Sequence, residues 1–256
     1  MDAPNLHLMS HFKINPILSD FIGSKKAKIN QDTCTGCQKC LESCRFHAID
    51  AMDGKCQINE YACEGCGVCE LVCPVQAVSM EDDVAGKQQL YISDCVFSTA
   101  KLKMGRGNSG KLVSEVKKSL FANAQAELAI IDGSPGIGCP VIASISGVDL
   151  ILIVAEPSMS GLSDLTRLYH TARTLHVQMA VCVNKYDVSI ENTQRIVQFC
   201  EENHIPFVGK IPYDKNALKA METKTSLARM NTLASEPIRT IFDHTLALLG
   251  EGKNIK

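Results

Sequence analysis

The sequence contains no tryptophan and few aromatic residues of any kind. It has no basic run and no basic stripe studded with aromatics, and its charge is nearly balanced at −2 over 256 residues. That excludes a nucleic-acid partner held by bulk attraction to phosphates. Long hydrophobic runs are absent too. The longest apolar stretch, around Leu150–Ala155, is far short of a membrane span. The opening Met-Asp-Ala-Pro-Asn-Leu-His lacks the charged-then-apolar pattern of a secretory signal. The expectation is a cytoplasmic chain with no membrane span. It is 45% hydrophobic and long enough for one large domain or two small ones.

What the sequence does have is cysteine. Thirteen cysteines in such a chain point to metal more than to disulfides. Nine of them fall between Cys34 and Cys73, and eight form two copies of one spacing. The first copy is Cys34-x-x-Cys37-x-x-Cys40-x-x-x-Cys44. The second, 29 residues on, is Cys63-x-x-Cys66-x-x-Cys69-x-x-x-Cys73, followed by Pro74. The copies end alike, in Cys-Arg-Phe-His-Ala-Ile and Cys-Pro-Val-Gln-Ala-Val. A loop with a cysteine at every third position can wrap three thiolates around one face of an iron–sulfur cube. The fourth thiolate must then come from elsewhere, because the loop turns into a helix.

The spacing resembles that of the bacterial two-cluster ferredoxins. The resemblance implies two 4Fe-4S clusters with crossed fourth ligands. Cluster one takes Cys34, Cys37, Cys40 and Cys73; cluster two takes Cys63, Cys66, Cys69 and Cys44. Gly36, Gly65 and Gly67 suit loops whose backbone must approach sulfur closely. Arg45 stands where the second copy has Pro74, a departure that removes no ligand. The competing reading is a pair of structural zinc sites, but zinc favours ligands in two separated pairs, and here three are equally spaced, twice. Cys56, between the copies, is read as no ligand. Cys182 and Cys200, beside apolar neighbours, are read as small buried residues.

The rest of the chain is patterned as α/β. Expected strands are 128–132, 150–155, 179–184 and 207–211, each a short apolar run of the kind that forms parallel strands buried on both faces. Helical patterns cover 111–123, 162–175, 190–203 and 233–249. Residues 80–104 read as extended segments. The alternation implies a parallel sheet with right-handed crossovers.

Polar, glycine-bearing sequence follows each of the four strands, where open α/β sheets bind ligands. Asp132-Gly-Ser-Pro-Gly136 follows the first, Glu156-Pro-Ser the second, Asn184-Lys185-Tyr-Asp187 the third and Pro212-Tyr213-Asp214 the fourth. Asp132 at a strand tip suits the magnesium-holding aspartate of a nucleotide site; the alternative is a helix N-cap. Asn184 at a strand end can bond a purine edge, while Lys185 and Asp187 read equally well as a polar turn.

This order of motifs, with a ferredoxin module upstream, resembles the MinD/ParA-like ATPases with a deviant phosphate-binding loop, relatives of the Mrp cluster carriers and the nitrogenase iron protein. The fold class implied is α/β, a parallel-sheet P-loop NTPase-like domain (1–26 and 82–256) with an inserted 2[4Fe-4S] ferredoxin domain (27–81). By resemblance Asp132 is the magnesium-site aspartate, Gly136 the switch glycine and Asn184 the adenine contact, with Pro212 and Tyr213 lining the same nucleotide site. ATP and Mg2+ are the implied further ligands. The implied partners are a second copy or related ATPase subunit, and a redox or Fe-S client. The family's phosphate loop is expected ahead of the first residue here, because Pro-Asn-Leu-His-Leu resembles the stretch after the family's second strand. ATP-gated electron transfer or cluster delivery is one expectation; a nucleotide-dead electron carrier is the other.

One stretch imitates the missing loop. Gly105-x-x-x-x-Gly110-Lys111 matches a phosphate loop, but Leu112 stands where Ser or Thr would hold magnesium. The expectation is that this stretch is not the main phosphate cradle.

Overall fold

The computed structural model of the chain describes Leu6, Phe12 and residues 14–252. The Pro-Asn-Leu-His-Leu likeness at the start of the chain falls, apart from Leu6, outside the described residues. The described chain divides into two compact units, 14–127 and 128–252.

The first unit contains the cysteine repeat. Strand β1 (Ile17–Ile22) leads to β2 (Lys26–Ile29), helix α1 (Lys39–Ser43), β3 (Ile49–Met52), β4 (Lys55–Ile58), α2 (Val68–Leu71) and β5 (Val78–Glu81). β2 pairs antiparallel with β5, and β3 with β4. The 29-residue repeat is therefore structural: β2 corresponds to β4, β3 to β5 and α1 to α2. β3 and β4 are joined through Asp53 and Gly54, both at positive φ (51° and 75°), as a tight Asp-Gly hairpin requires.

The repeat rests beside a second small sheet. β6 (Val84–Ile92) pairs antiparallel with β1 on one side and β7 (Val96–Leu102) on the other. Helix α3 (Ser109–Asn123) packs on β7, where the Ser98 hydroxyl donates to the Val116 carbonyl at 2.9 Å. Phe21, Ala85, Ala100 and Leu112 form the core between sheet and helix. The extended reading of 80–104 corresponds to the end of β5, then β6 and β7.

The second unit is a three-stranded parallel sheet with helices on both faces. It runs through α4 (Cys139–Ile145), β8 (Leu150–Ala155), α5 (Met159–Thr174), β9 (Gln178–Asn184), α6 (Ile190–Glu202), β10 (Phe207–Ile211), α7 (Asn216–Glu222) and α8 (Ser235–Gly252). The strand order is β10-β9-β8. Alternate residues of β9 face opposite cores. Val181 and Val183 join Leu165, Tyr169 and Ala172 of α5 and Ile196 and Cys200 of α6. Ala180 and Cys182 join Val208 and Ile241. This is why the strands read as continuous apolar runs. Ser158 and Ser189 cap α5 and α6, accepting from Gly161 N at 3.0 Å and Asn192 N at 3.3 Å.

One expected strand is missing. Residues 128–132 are not in a ladder, and Leu128 and Ile130 are exposed. β8, the edge of the described sheet, pairs only with β9 among the described residues. An apolar run has strand propensity, but a strand exists only where a neighbour accepts its hydrogen bonds. The short helices α4 and α7 carry no periodic signal long enough to read from sequence. Among the described residues no helix is long and apolar enough to cross a membrane.

Candidate iron–sulfur centres and the strand-end loops

Two cavities lie within the cysteine repeat. Cys34, Cys37, Cys40, Cys56 and Cys73 line one, with Thr35 and Gln38 beside them. Cys44, Cys63, Cys66 and Cys69 line the other. Each cavity thus combines three cysteines of its own loop with one from the other copy, and the first has Cys56 of β4 as a fifth.

Backbone geometry holds these loops. Asn30 N donates to Ala77 O and Asn59 N to Ala48 O, both at 2.8 Å, so each loop is pinned to the far end of the other copy. Asn30 Oδ1 accepts from Asp32 N at 2.9 Å, and Asn59 Oδ1 from Tyr61 N at 3.0 Å. Lys26 Nζ donates to Cys63 O, and Lys55 Nζ to Gln31 O. Gly36 and Gly65 have positive φ, and a Cβ on them would lie 1.9 Å from Gly54 O and 2.1 Å from Lys25 O. Only glycine lets these loops close against the opposing chain.

The cavities are chemically prepared for anionic sulfur. Ala48 N points at Cys44 Sγ at 3.4 Å, and Ala77 N at Cys73 Sγ at 3.2 Å. The backbone N–H groups of Cys56 and Gly36 lower the Cys34 thiol from its ordinary range. Burial, then hydrogen bonding with Cys56, pushes the Cys40 thiol up to about 12, and burial raises that of Cys69. Such thiols become thiolates when a metal replaces the proton.

At least four thiols around each cavity, N–H donors aimed at sulfur and a glycine cradle together fit a 4Fe-4S group. Among the described residues no three His, Cys, Asp or Glu side chains converge as on a single ion.

The look-alike phosphate loop has other employment. Lys111 Nζ donates to Ile22 O at 2.9 Å and Gly23 O at 3.2 Å, and lies over the Phe21 ring. Leu112 is a core residue under Phe21. Asn108 Nδ2 donates to Ser24 Oγ. Arg106 bonds Glu60 at 2.6 Å and Asp83 at 3.1 Å and stacks over Tyr61. The stretch fastens the β1-β6-β7 sheet to the cysteine repeat. No single-residue pattern signalled this role for Arg106, because its three partners are distant in sequence.

In the second unit the strand-end residues gather at the carboxyl edge of the sheet. Asn184 ends β9 opposite Ile211 of β10, so Pro212 and Tyr213 leave the sheet beside it. Asp187 accepts from Tyr213 N at 2.7 Å. Lys185, at positive φ, bonds Glu156 of the β8 end at 2.7 Å, and this carboxylate raises its pKa. Lys185 and Asp187 therefore tie adjacent loops together, as a polar turn does. Asp214 is buried and accepts from Asn216 N at 2.9 Å and Ala234 N at 3.2 Å. The Asn216 N–H first, then the Thr232 side chain, hold its carboxyl down at about 2. Asp132 and Gly136 lie in the exposed loop ahead of α4, outside the ladder. The described residues thus set Asn184, Pro212 and Tyr213 together but offer no phosphate cradle around Asp132. Cys182 and Cys200 are buried, each pushed up to about 11 by that burial.

Residues 27–80 match the 4Fe-4S dicluster domain family. The uncharacterized protein MJ0578 of Methanocaldococcus jannaschii is 33% identical over 249 residues, covering 95% of this chain and 82% of that protein. The uncharacterized ATP-binding protein MJ0547 of the same organism is 27% identical over 165 residues, 60% of each chain. Among solved structures, the Pyrococcus furiosus cell division ATPase MinD is 16% identical with a TM-score of 0.45, covering 55% of this chain and 59% of that one. The chain thus spans most of MJ0578 but about three-fifths of the other two. With the uncharacterized MJ0578 it belongs to one family, and residues 27–80 of this chain carry the 4Fe-4S dicluster domain.

Proposed function

We propose that the protein holds two 4Fe-4S clusters, one per cavity, and carries electrons between them and a redox partner. The observation behind this reading is the division of eight thiols into two sets of four, each closed by one cysteine from the other copy. When bound, each cluster supplies a one-electron redox couple. The chain's part is to hold eight thiolates, direct N–H groups at their sulfurs and exclude water from Cys40, Cys63 and Cys69. Exposed Cys37 and Cys66 put an edge of each centre at the surface, where a partner protein can dock.

In this reading 27–81 is the insert, and 1–26 with 82–256 its host, a nucleotide-binding domain whose 14–26 and 82–127 pack around the insert. ATP binding at the carboxyl edge, near Asn184, Pro212 and Tyr213 and with Asp132 on Mg2+, would couple to electron flow or cluster delivery through a dimer. A second reading, a nucleotide-silent carrier, draws support from the lysines of the phosphate-loop look-alike and of the Asn184–Asp187 strand end. Lys111 is held by carbonyls and Lys185 by Glu156.

The test is anaerobic purification, iron and sulfide analysis, then redox titration with and without Mg-ATP. Close to eight iron and eight sulfide per chain is the expected content for two cubes. Zinc in their place would overturn the proposal. A shift of potential on adding Mg-ATP supports coupling; identical titrations leave the nucleotide-silent carrier.

A further inference from the structure

The two cysteine loops match in spacing but not in what holds them. Loop one, 30–40, rests on the repeat itself. Its Gly36 packs against Gly54 of the β3-β4 hairpin, Lys55 Nζ donates to Gln31 O, and Gln31 Nε2 donates to Cys56 O at 2.9 Å. Loop two, 59–69, rests on chain from outside the repeat. A Cβ on Gly105 would lie 3.1 Å from Tyr61 Cδ1, and the Arg106 guanidinium stacks over the Tyr61 ring at 5.2 Å. Arg106 also donates twice to Glu60, to the backbone carbonyl at 3.1 Å and to the carboxylate at 2.6 Å. A second line of contacts starts from the same segment. Lys111 holds the carbonyls of Ile22 and Gly23, and Asn108 donates to the Ser24 hydroxyl. The residues that follow carry loop two: Gly65 packs against Lys25 O, and Lys26 Nζ donates to Cys63 O.

The repeat gives the chemical reason. Glu60 stands 29 residues after Gln31, and Ala27 stands 29 before Cys56. Gln31 has an amide N–H for Cys56 O, but an ionised Glu60 can only accept, so it cannot bond Ala27 O in the same way. It takes a cation instead. Arg106 is a well-fixed one, with its side chain 8% exposed and a second ion pair to Asp83 at 3.1 Å. Its planar fork of donors serves the Glu60 carboxylate, the Glu60 carbonyl and Asp83 together, which a lysine could not do.

We propose that Arg106 is a positioning residue for the centre in cavity two alone. It holds the turn in which Cys63 N donates to Asn59 O, and so presents Cys63, Cys66 and Cys69 to one cluster. One centre of the two is thereby placed under the control of the 105–111 segment: a displacement of that segment loosens cavity two and leaves cavity one as it was. This rests on the two-cluster reading above.

The experiment is anaerobic removal of iron from the cluster-loaded protein by a chelator, with an alkylating reagent labelling each thiol as it is freed and peptide mass spectrometry locating the label. In Arg106→Gln, Cys44, Cys63, Cys66 and Cys69 should be labelled about tenfold faster than in the wild type, the weight of one charge-assisted bond. Cys34, Cys37, Cys40 and Cys73 should keep the wild-type rate. Glu60→Ala, which leaves Arg106 on Asp83, should show the same selectivity, and it tests the idea even where Arg106→Gln fails to load. Adding Glu60→Gln to Arg106→Gln gives loop two the residue that loop one has and should return most of the lost protection, a rescue that a general loss of stability would not show. Equal acceleration of both sets of thiols, or no acceleration in either variant, would overturn this inference alone. A wild-type protein without iron and sulfide would overturn the two-cluster reading and this inference together.

Discussion

Gly36 lies so close to Gly54 that a Cβ on it would stand 1.9 Å from the Gly54 carbonyl oxygen. Gly65 has the same relation to Lys25 one repeat later, at 2.1 Å. Gly67 also has positive φ but would meet nothing within 4 Å. Its counterpart Gln38 adopts positive φ with a full side chain. Gly36→Ala is thus expected to abolish the centre in cavity one, with about half the iron lost, since the left-handed strain of ~1–2 kcal/mol is joined by a backbone collision. Gly67→Ala should show the strain alone and keep both centres. Iron content and thermal unfolding of the two variants check this.

Crossed ligation has its own signature. Cys44→Ser is expected to impair the centre lined by Cys63, Cys66 and Cys69, and Cys73→Ser the one lined by Cys34, Cys37 and Cys40. EPR of the reduced variants would show which centre survives. If each substitution damaged the centre of its own loop, the crossed arrangement would be wrong.

Arg106 is 8% exposed in its side chain, and its partner Asp83 is 12% exposed. Arg106→Gln leaves Asp83 nearly buried without its cation, at an expected cost of about 2–3 kcal/mol, below the range for a fully buried pair. Chemical denaturation of the cluster-loaded protein measures it. Lys111→Ala should lower stability without changing any affinity for ATP, because Lys111 serves the carbonyls of Ile22 and Gly23. A large loss of ATP binding in Lys111→Ala would restore the loop's phosphate role.

Asp214 gives a pH dependence with a definite sign. Its carboxyl is held at about 2 in the folded protein, below its ordinary value near 3.9. A lowered carboxyl adds stability that is complete above the unfolded value and is lost as pH falls through the folded one. Amide exchange at Asn216 and Ala234 should stay slow from neutral pH to about 4 and quicken toward about 2. Asp214→Asn should remove most of that dependence.

Much of this was legible because its signals are local. A thiol at every third position, repeated after 29 residues, reports a cluster loop without reference to anything else in the chain. The runs at 150–155 and 207–211 were readable to the residue, since apolar side chains dominate both and Lys210 is the one charged residue in them. Residues 128–132 carry the same pattern and form no strand, because pairing depends on a neighbour and not on composition. Arg106 was invisible for a related reason: Glu60, Tyr61 and Asp83 come to it only through folding.

Sequence alone determined the two repeated cysteine loops, the parallel α/β pattern that follows and the unsuitability of Leu112 for magnesium, since each depends on residue type and short-range spacing. Tertiary structure alone decided that Lys111 and Arg106 are fasteners, that Leu112 is core and that Cys56 faces one cavity while Ala27 faces the other. Those outcomes depend on which distant segments meet, and contact between them is a property of the folded chain.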